Sequence, residues 1–212
     1  NPVKKAADEN ASGYPVMPGK YKVTMSISVD GVLTQVAGPV EFEAKVLNNV
    51  TLPAVDRSEL VAFQKKVSEL NRAVDASIEV VNDLRSKIEI IKTALKQTPK
   101  APQKLMDDAN LIADKSRDIY KLLVDDETLS KRNEPTPPTI AGRLGEVTWG
   151  MWQTTSAPTN SYKENYRIAS EEFKPILNEL KQILEVDLKN LEYEMDNLNA
   201  PWTPGRVPDW KE

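Results

Sequence analysis

The chain has 212 residues, 32 of them acidic and 28 basic for a net charge of -4, and it contains neither histidine nor cysteine. Without imidazole or thiol it has no Ser-His or Cys-His nucleophile pair, and it lacks the usual ligands for zinc, copper or haem. Its charges are interspersed, so no footprint for nucleic acid or an anionic membrane surface emerges, and no apolar run reaches the roughly 18 residues of a membrane span.

Prolines mark the boundaries between segments, because the ring removes a donor and disfavours helix in the preceding residue. Only Pro175 of the 15 prolines falls inside a periodic segment. Residues 1–19, rich in Asn, Ala, Gly and Pro, read as an irregular lead-in that ends in Pro18-Gly19. The next residues alternate: Tyr21, Val23, Met25, Ile27 and Val29 against Lys22, Thr24, Ser26 and Ser28, the pattern of a half-buried strand. Asp30-Gly31 is a hairpin signal, and Val32 to Val36 form a short return strand. After Gly38-Pro39 the alternation resumes with Val40, Phe42, Ala44 and Val46, which predicts a third strand. Three strands make a single sheet, and its apolar face needs a cover.

At Asp56-Arg57-Ser58-Glu59 the period changes, with the spacing of a capping box. Leu60, Phe63, Val67, Leu70, Val74, Ile78, Val81, Leu84, Ile88, Ile91 and Leu95 then step by three or four, the spacing of a coiled-coil seam. Such a helix is roughly 60 Å long and cannot be stable in isolation. Thr98 to Pro102 predicts a turn that sends a second helix back antiparallel, with Leu105, Ala109, Ile112, Ser116, Ile119 and Leu123 as its stripe. Residues 125–138, first acidic and then proline-rich, read as an exposed loop. Ile140, Leu144, Val147 and Met151 mark a short helix that carries Trp149 and Trp152.

The last long helix follows Pro158-Thr159 and runs to about Leu198 through Tyr162, Tyr166, Ala169, Phe173, Ile176, Leu180, Ile183, Leu184, Leu188, Leu191 and Met195. Pro175 should kink it, and the stripe shifts register near Leu184 in the manner of a stutter. The tail from Asn199, with Pro201, Pro204 and Pro208 around Trp202 and Trp210, reads as non-helical.

Candidate chemistry is sparse. Asp107-Asp108 and Asp125-Asp126-Glu127 lack the pattern of a calcium loop and adjoin lysines, so they read as solvated helix surface or helix ends. Gly142, Gly145 and Gly150 match neither phosphate-binding spacing, and Pro39 to Ala141 holds no glycine at all. Trp149, Trp152, Trp202 and Trp210 form the one candidate ligand or partner surface, because an aromatic shelf can stack on sugar rings. The competing reading is that they clamp the tail to the helices. No catalytic, cofactor-binding or metal-binding residue is expected.

Read in order, Pro18-Gly19-Lys20-Tyr21-Lys22-Val23, Val29-Asp30-Gly31, and the helix start Asp56 to Leu60 resemble the C-terminal region of secreted bacterial sortilin-like proteins. The N-terminal part of those proteins is a large β-propeller of glycosidase/sialidase (BNR, or Asp-box) type. That region carries a "PGxYxVxLxVDG" strand pair, a "DxRxxxSxxDL" helix start and a "PTxxxxxxF" helix opening, the last matched here by Pro158-Thr159 leading to Tyr166. The ending Ala200 to Arg206 is similar to that family's tail, and the resemblance covers nearly all of residues 15–210.

The resemblance implies an accessory module that lies C-terminal to the propeller, secreted or periplasmic, with any hydrolytic residues in the propeller and none here. It also implies an excised piece of a longer protein whose sheet is a partial immunoglobulin-like sandwich. The expected fold is α+β and mostly α. Residues 1–52 form the lead-in and a small antiparallel sheet of about three strands, residues 53–200 an up-and-down bundle of long helices, and residues 201–212 a proline/tryptophan tail packed on the bundle. The expected function is that of a non-catalytic, non-enzymatic structural module whose partner is the propeller of the same polypeptide, and possible further partners are a glycan or a protein. The alternatives are a carbohydrate-binding module that uses the tryptophans, and a helical adaptor that dimerises through the stripe of residues 60–95.

Overall fold

A computed structural model describes residue 14, residues 16–47 and residues 54–207 of the chain. It is mostly helical with a small antiparallel sheet. In chain order the elements are β1 (Gly19–Val29), β2 (Val32–Ala44), α1 (Arg57–Lys96), α2 (Gln103–Leu123), α3 (Glu127–Ser130), α4 (Ile140–Trp152), α5 (Asn160–Gln182), a π-helical turn (Ile183–Asp187) and α6 (Leu188–Asn197). The residues group into two compact units: one contains residues up to Ser68 together with Thr148–Asn160, the other Glu69–Val147 together with the residues from Ser161 onward.

The first unit contains the sheet, which has two strands where the sequence predicts about three. The expected second and third strands are one strand, β2, paired antiparallel with β1 from Gly19↔Ala44 to Val29↔Val32. Gly38-Pro39 does not end it. Gly38 has a φ of +86°, and a Cβ there would lie 2.5 Å from the Val23 carbonyl oxygen, so only glycine fits. The pairing shifts twice between Val23 and Ser26, where β2 carries extra residues, and the proline sits in this bulged stretch, where its missing N–H breaks no ladder bond. Two extra residues restore the parity of β2. Val32 and Thr34 therefore fall on the same face as Val40 and Phe42, opposite Tyr21, Val23, Ile27 and Val29 of β1. At the tip, Asp30 and Gly31 both take positive φ, as a two-residue hairpin turn requires.

Also in this unit, Asp56 caps α1: its carboxylate accepts from the Ser58 amide at 2.8 Å, the Ser58 hydroxyl at 2.5 Å and the Glu59 amide at 3.2 Å. The Ala54 amide donates to the Thr155 carbonyl at 2.9 Å, and the Gln64 side chain donates to the Met151 carbonyl at 3.2 Å. These two bonds tie the chain around the start of α1 to the end of α4 and the loop after it.

The second unit is built on one apolar core drawn from α1, α2, α4, α5, the π turn and α6. Every residue of the stripe expected for α2, from Leu105 to Leu123, is buried. Along α1 the heptad series Leu60, Val67, Val74, Val81, Ile88 and Leu95 is buried throughout, while Phe63, Leu70 and Ile78 are half-buried. The buried hydroxyls of Ser77, Thr98 and Ser116 donate back to the carbonyls of Ala73, Ala94 and Ala113, so burying them leaves no donor unpaired. The turn after α1 passes through Lys100 at positive φ, and Arg85 lies 4.5 Å above the Tyr120 ring, consistent with α1 and α2 running antiparallel.

The register shift expected near Leu184 is the π turn. Its Leu188 amide bonds to the Ile183 carbonyl five residues back. That single extra residue lets the buried row Ala169, Phe173, Ile176, Leu180, Ile183 continue as Leu188, Leu191, Met195 without leaving the core. Pro175 lies inside α5, where it has no N–H to offer the Glu171 carbonyl. The loop expected over residues 125–138 holds the short helix α3, which the Asp126 side chain caps through the Thr128 amide at 3.0 Å.

Candidate functional site

The three described tryptophans of the candidate surface have different surroundings. Trp149 and Trp152 stand three positions apart at the end of α4, in the first unit. Trp149 is 73% exposed. Trp152 is half-buried, and its ring stands perpendicular to that of Tyr14 in a T-shaped pair at a centroid distance of 6.3 Å. Trp202 belongs to the second unit, and Trp210 lies outside the described residues.

Trp202 is 51% exposed, and its ring carries the Arg206 guanidinium of the same tail. The Arg206 guanidinium stacks 4.9 Å above its ring, donates from Nε to Asp196 at 2.9 Å and from one terminal nitrogen to the Pro201 carbonyl at 2.9 Å, and pairs through the other with Asp196. Its side chain is only 3% exposed. Thr203 is buried, and a Cβ at Gly205 would come within 2.8 Å of the Lys87 ammonium, which is ion-paired to Glu192 of α6 at 2.6 Å. The tail from Pro201 to Arg206 is thus folded onto α1 and α6.

The acidic clusters are engaged in local structure. Asp107 accepts from Gln103, Asp108 pairs with Lys104 one turn away, and Asp125 accepts from the Ser130 hydroxyl. Burial raises the pKa of Asp126 in part, but the Thr128 and Leu129 amides and the Lys121 ammonium outweigh it and hold the carboxyl below its usual range. Asp56 is lowered by its bonds to the Ser58 hydroxyl and the Glu59 and Ser58 amides, and Glu164 by Arg167. Asp75 is shifted the other way, upward, by partial burial, and it accepts from the Asn71 amide group at 3.0 Å. One raised carboxylate is not an acid–base pair. Among the described residues no group of three acidic side chains is placed to hold a metal ion, and no helix is long and apolar enough to cross a membrane.

One feature of the first unit escapes the sequence reading. An open apolar pocket of about 420 Å³ lies between the foot of the hairpin and the first turns of α1, lined by Met17, Ala44, Leu47, Leu60, Val61 and Gln64 among others. Gln64 is 1% exposed; its amide nitrogen is engaged by Met151, and its oxygen has no hydrogen-bond partner. A signal was present in the sequence, since Gln64 interrupts the apolar positions Leu60, Phe63 and Val67 of a core-facing stripe. Periodicity does not distinguish a polar residue that lines a pocket from one on the edge of the stripe.

The chain matches no family model, and neither the curated proteins nor the solved structures contain a match to it.

Proposed function

We propose that the chain is a non-catalytic accessory module of a secreted or periplasmic sortilin-like, glycosidase-type β-propeller protein, and that the propeller of the same polypeptide is its partner. The observation that carries this reading is where the family-like stretches lie. Pro18-Gly19 opens β1, Asp30-Gly31 makes the hairpin turn, Asp56 caps α1, Pro158-Thr159 precedes α5, and Pro201 to Arg206 folds onto α6. These are joints of the fold, where residue type is dictated by backbone conformation and capping and not by a substrate. Mass spectrometry of the native polypeptide tests the proposal: a propeller preceding residue 1 is expected, and a mature protein without one would refute it. Hydrolysis of a chromogenic glycoside by the purified chain would refute the non-catalytic part.

A second reading, glycan binding at the end of α4, draws on the exposure of Trp149. It requires a glycan-array signal that Trp149→Ala removes. The adaptor reading has less room, because the α1 stripe it would use is already buried within the chain.

A further inference from the structure

The pocket at the foot of the hairpin is formed wholly by residues of the first unit, and its volume of about 420 Å³ falls in the range of small-molecule sites, roughly 300–1,000 Å³. Met17, Pro18, Ala44, Val46, Leu60 and Val61 supply apolar walls. Of its polar residues, Lys45 pairs with Glu43 at 3.2 Å, the Thr154 hydroxyl donates to that of Ser156 at 3.0 Å, and the Thr155 carbonyl accepts from the Ala54 amide at 2.9 Å. Gln64 and Arg57 are different. Gln64 is the least exposed residue of the lining, and its nitrogen is spent on the Met151 carbonyl while its oxygen has no donor among the described residues. A glutamine that only tied the end of α4 would need its nitrogen alone, and a buried acceptor is destabilising until something donates to it. Arg57, the first residue of α1, is half-buried and forms no ion pair among the described residues. The neighbouring Asp56 carboxylate is engaged by the Ser58 and Glu59 amides. A cation in the first turn also stands against the positive end of the helix dipole, so both would stabilise an anion placed there.

We propose that this pocket binds a small amphipathic carboxylate, with its acid group at Arg57, its apolar body against Leu60 and Val61, and an N–H or O–H at its inner end that donates to the Gln64 oxygen. Arg57 and Gln64 stand two turns apart on α1, so they project from one face with their backbones about 10 Å from each other. An extended chain advances about 1.2 Å per atom, so about eight to ten atoms separate the acid from the donor. Exposure sets the direction of entry. Gln64 is 1% exposed and Arg57 is half-buried, so the chain enters donor first and the charge stays near water, paired with the guanidinium. The unpaired oxygen also sets the selectivity, because a site with a buried acceptor rejects an analogue that has no donor to offer it. Every group involved belongs to this chain, so the inference does not depend on a propeller.

Titration calorimetry of the 212-residue chain with ω-hydroxydecanoate, decanoate and the methyl ester of ω-hydroxydecanoate tests this. The first is expected to bind at a single site, and each of the others about tenfold more weakly, since one lacks the donor and the other the charge. Arg57→Gln should weaken the hydroxy acid about tenfold and leave the ester unchanged. Gln64→Leu should abolish the preference for the hydroxylated chain, with decanoate bound at least as tightly as by the wild type. That variant also loses the bond to Met151. Val61→Trp fills the pocket while leaving the bond in place, and it should remove binding of all three probes with the helical circular dichroism retained. Absence of ω-hydroxydecanoate binding at millimolar concentration overturns the inference, and so does equal affinity of the wild type for the three probes. Binding that Arg57→Gln and Val61→Trp both leave unchanged overturns it as well, because it would place the probe on another apolar surface such as the exposed hairpin face.

Discussion

The hairpin and helix α2 are both amphipathic segments with one clean apolar row, yet they end in opposite environments. The α2 row from Leu105 to Leu123 is at most 5% exposed, whereas the hairpin row from Val23 to Phe42 stays at least half exposed. The difference lies in what each segment meets. The α2 row faces apolar rows from α1, α5 and α6, so each side chain is packed from several directions and its methylenes leave water. The hairpin row faces no such partner among the described residues. An apolar row is a demand for burial, and the demand is met only where another row of matching length comes opposite it.

The contrast can be broken hardest at the π turn. Removing one residue from a regular helix turns everything after it by about 100°, whereas removing one from a π turn restores regular α geometry. Deletion of Asp114, within the regular helix α2, is therefore expected to swing Ser116, Ile119 and Leu123 off the core and abolish cooperative unfolding by circular dichroism. Deletion of Val186, inside the π turn, should keep a cooperative transition with a far smaller loss. If both deletions unfold the chain, the π turn is not an inserted residue that preserves the stripe.

A smaller effect with sharper separation is expected from Gly38→Ala. The new Cβ meets the Val23 carbonyl at 2.5 Å, and the positive φ alone costs roughly 1–2 kcal/mol. Dispersed strand signals from residues 19–44 should disappear from the amide NMR spectrum. The helices of the second unit should keep their stability within about 0.5 kcal/mol, because they form a separate compact unit with its own core. A large drop in the melting of α2 would show that the hairpin supports the core energetically.

Next in size is the tail clamp. Arg206→Ala removes a stacked and multiply bonded guanidinium and is expected to cost about 1–3 kcal/mol in thermal denaturation, with a change in Trp202 fluorescence. Arg206→Lys should recover only part of the loss, since an ammonium cannot reproduce the planar fork.

The smallest expected effect is at the start of α1. Asp56→Ala removes three acceptor contacts and should lower the melting temperature by a few degrees at neutral pH. The carboxyl is held below its ordinary value in the folded chain, so its contribution is complete above a pH of about 4 and fades as the pH falls through the lowered value. The difference between wild type and variant should shrink accordingly on acidification, and a constant difference down to pH 2 would mean the charge is not what caps the helix.

Much of the helical part was legible from spacing, because each stripe from Leu105 to Leu123 and from Ala169 to Met195 contains the information about which way it faces, and the register slip near Leu184 is written in its five-residue gap. The sheet was less legible. Gly38-Pro39 has the composition of a chain break, and nothing local tells a break from a bulge, because the distinction depends on the Val23 backbone lying against Gly38. The tryptophans were the least legible. Their clustering along the chain says nothing of which unit each joins: Trp149 and Trp202 are both exposed but lie in different units, and only Trp202 carries a stacked guanidinium, that of Arg206.

By itself the sequence determined the long helices and their buried stripes, the first strand and its hairpin turn, the cap at Asp56, and the absence of imidazole and thiol chemistry, since all of these depend on residue type and on neighbours within a few positions. The tertiary structure decided which faces found cover, that two expected strands are one, that Gln64 sits buried with an unpartnered oxygen, and that Arg206 reaches back to Asp196. Those outcomes depend on what stands opposite a residue in space, and segments far apart along the chain fix that only when they pack.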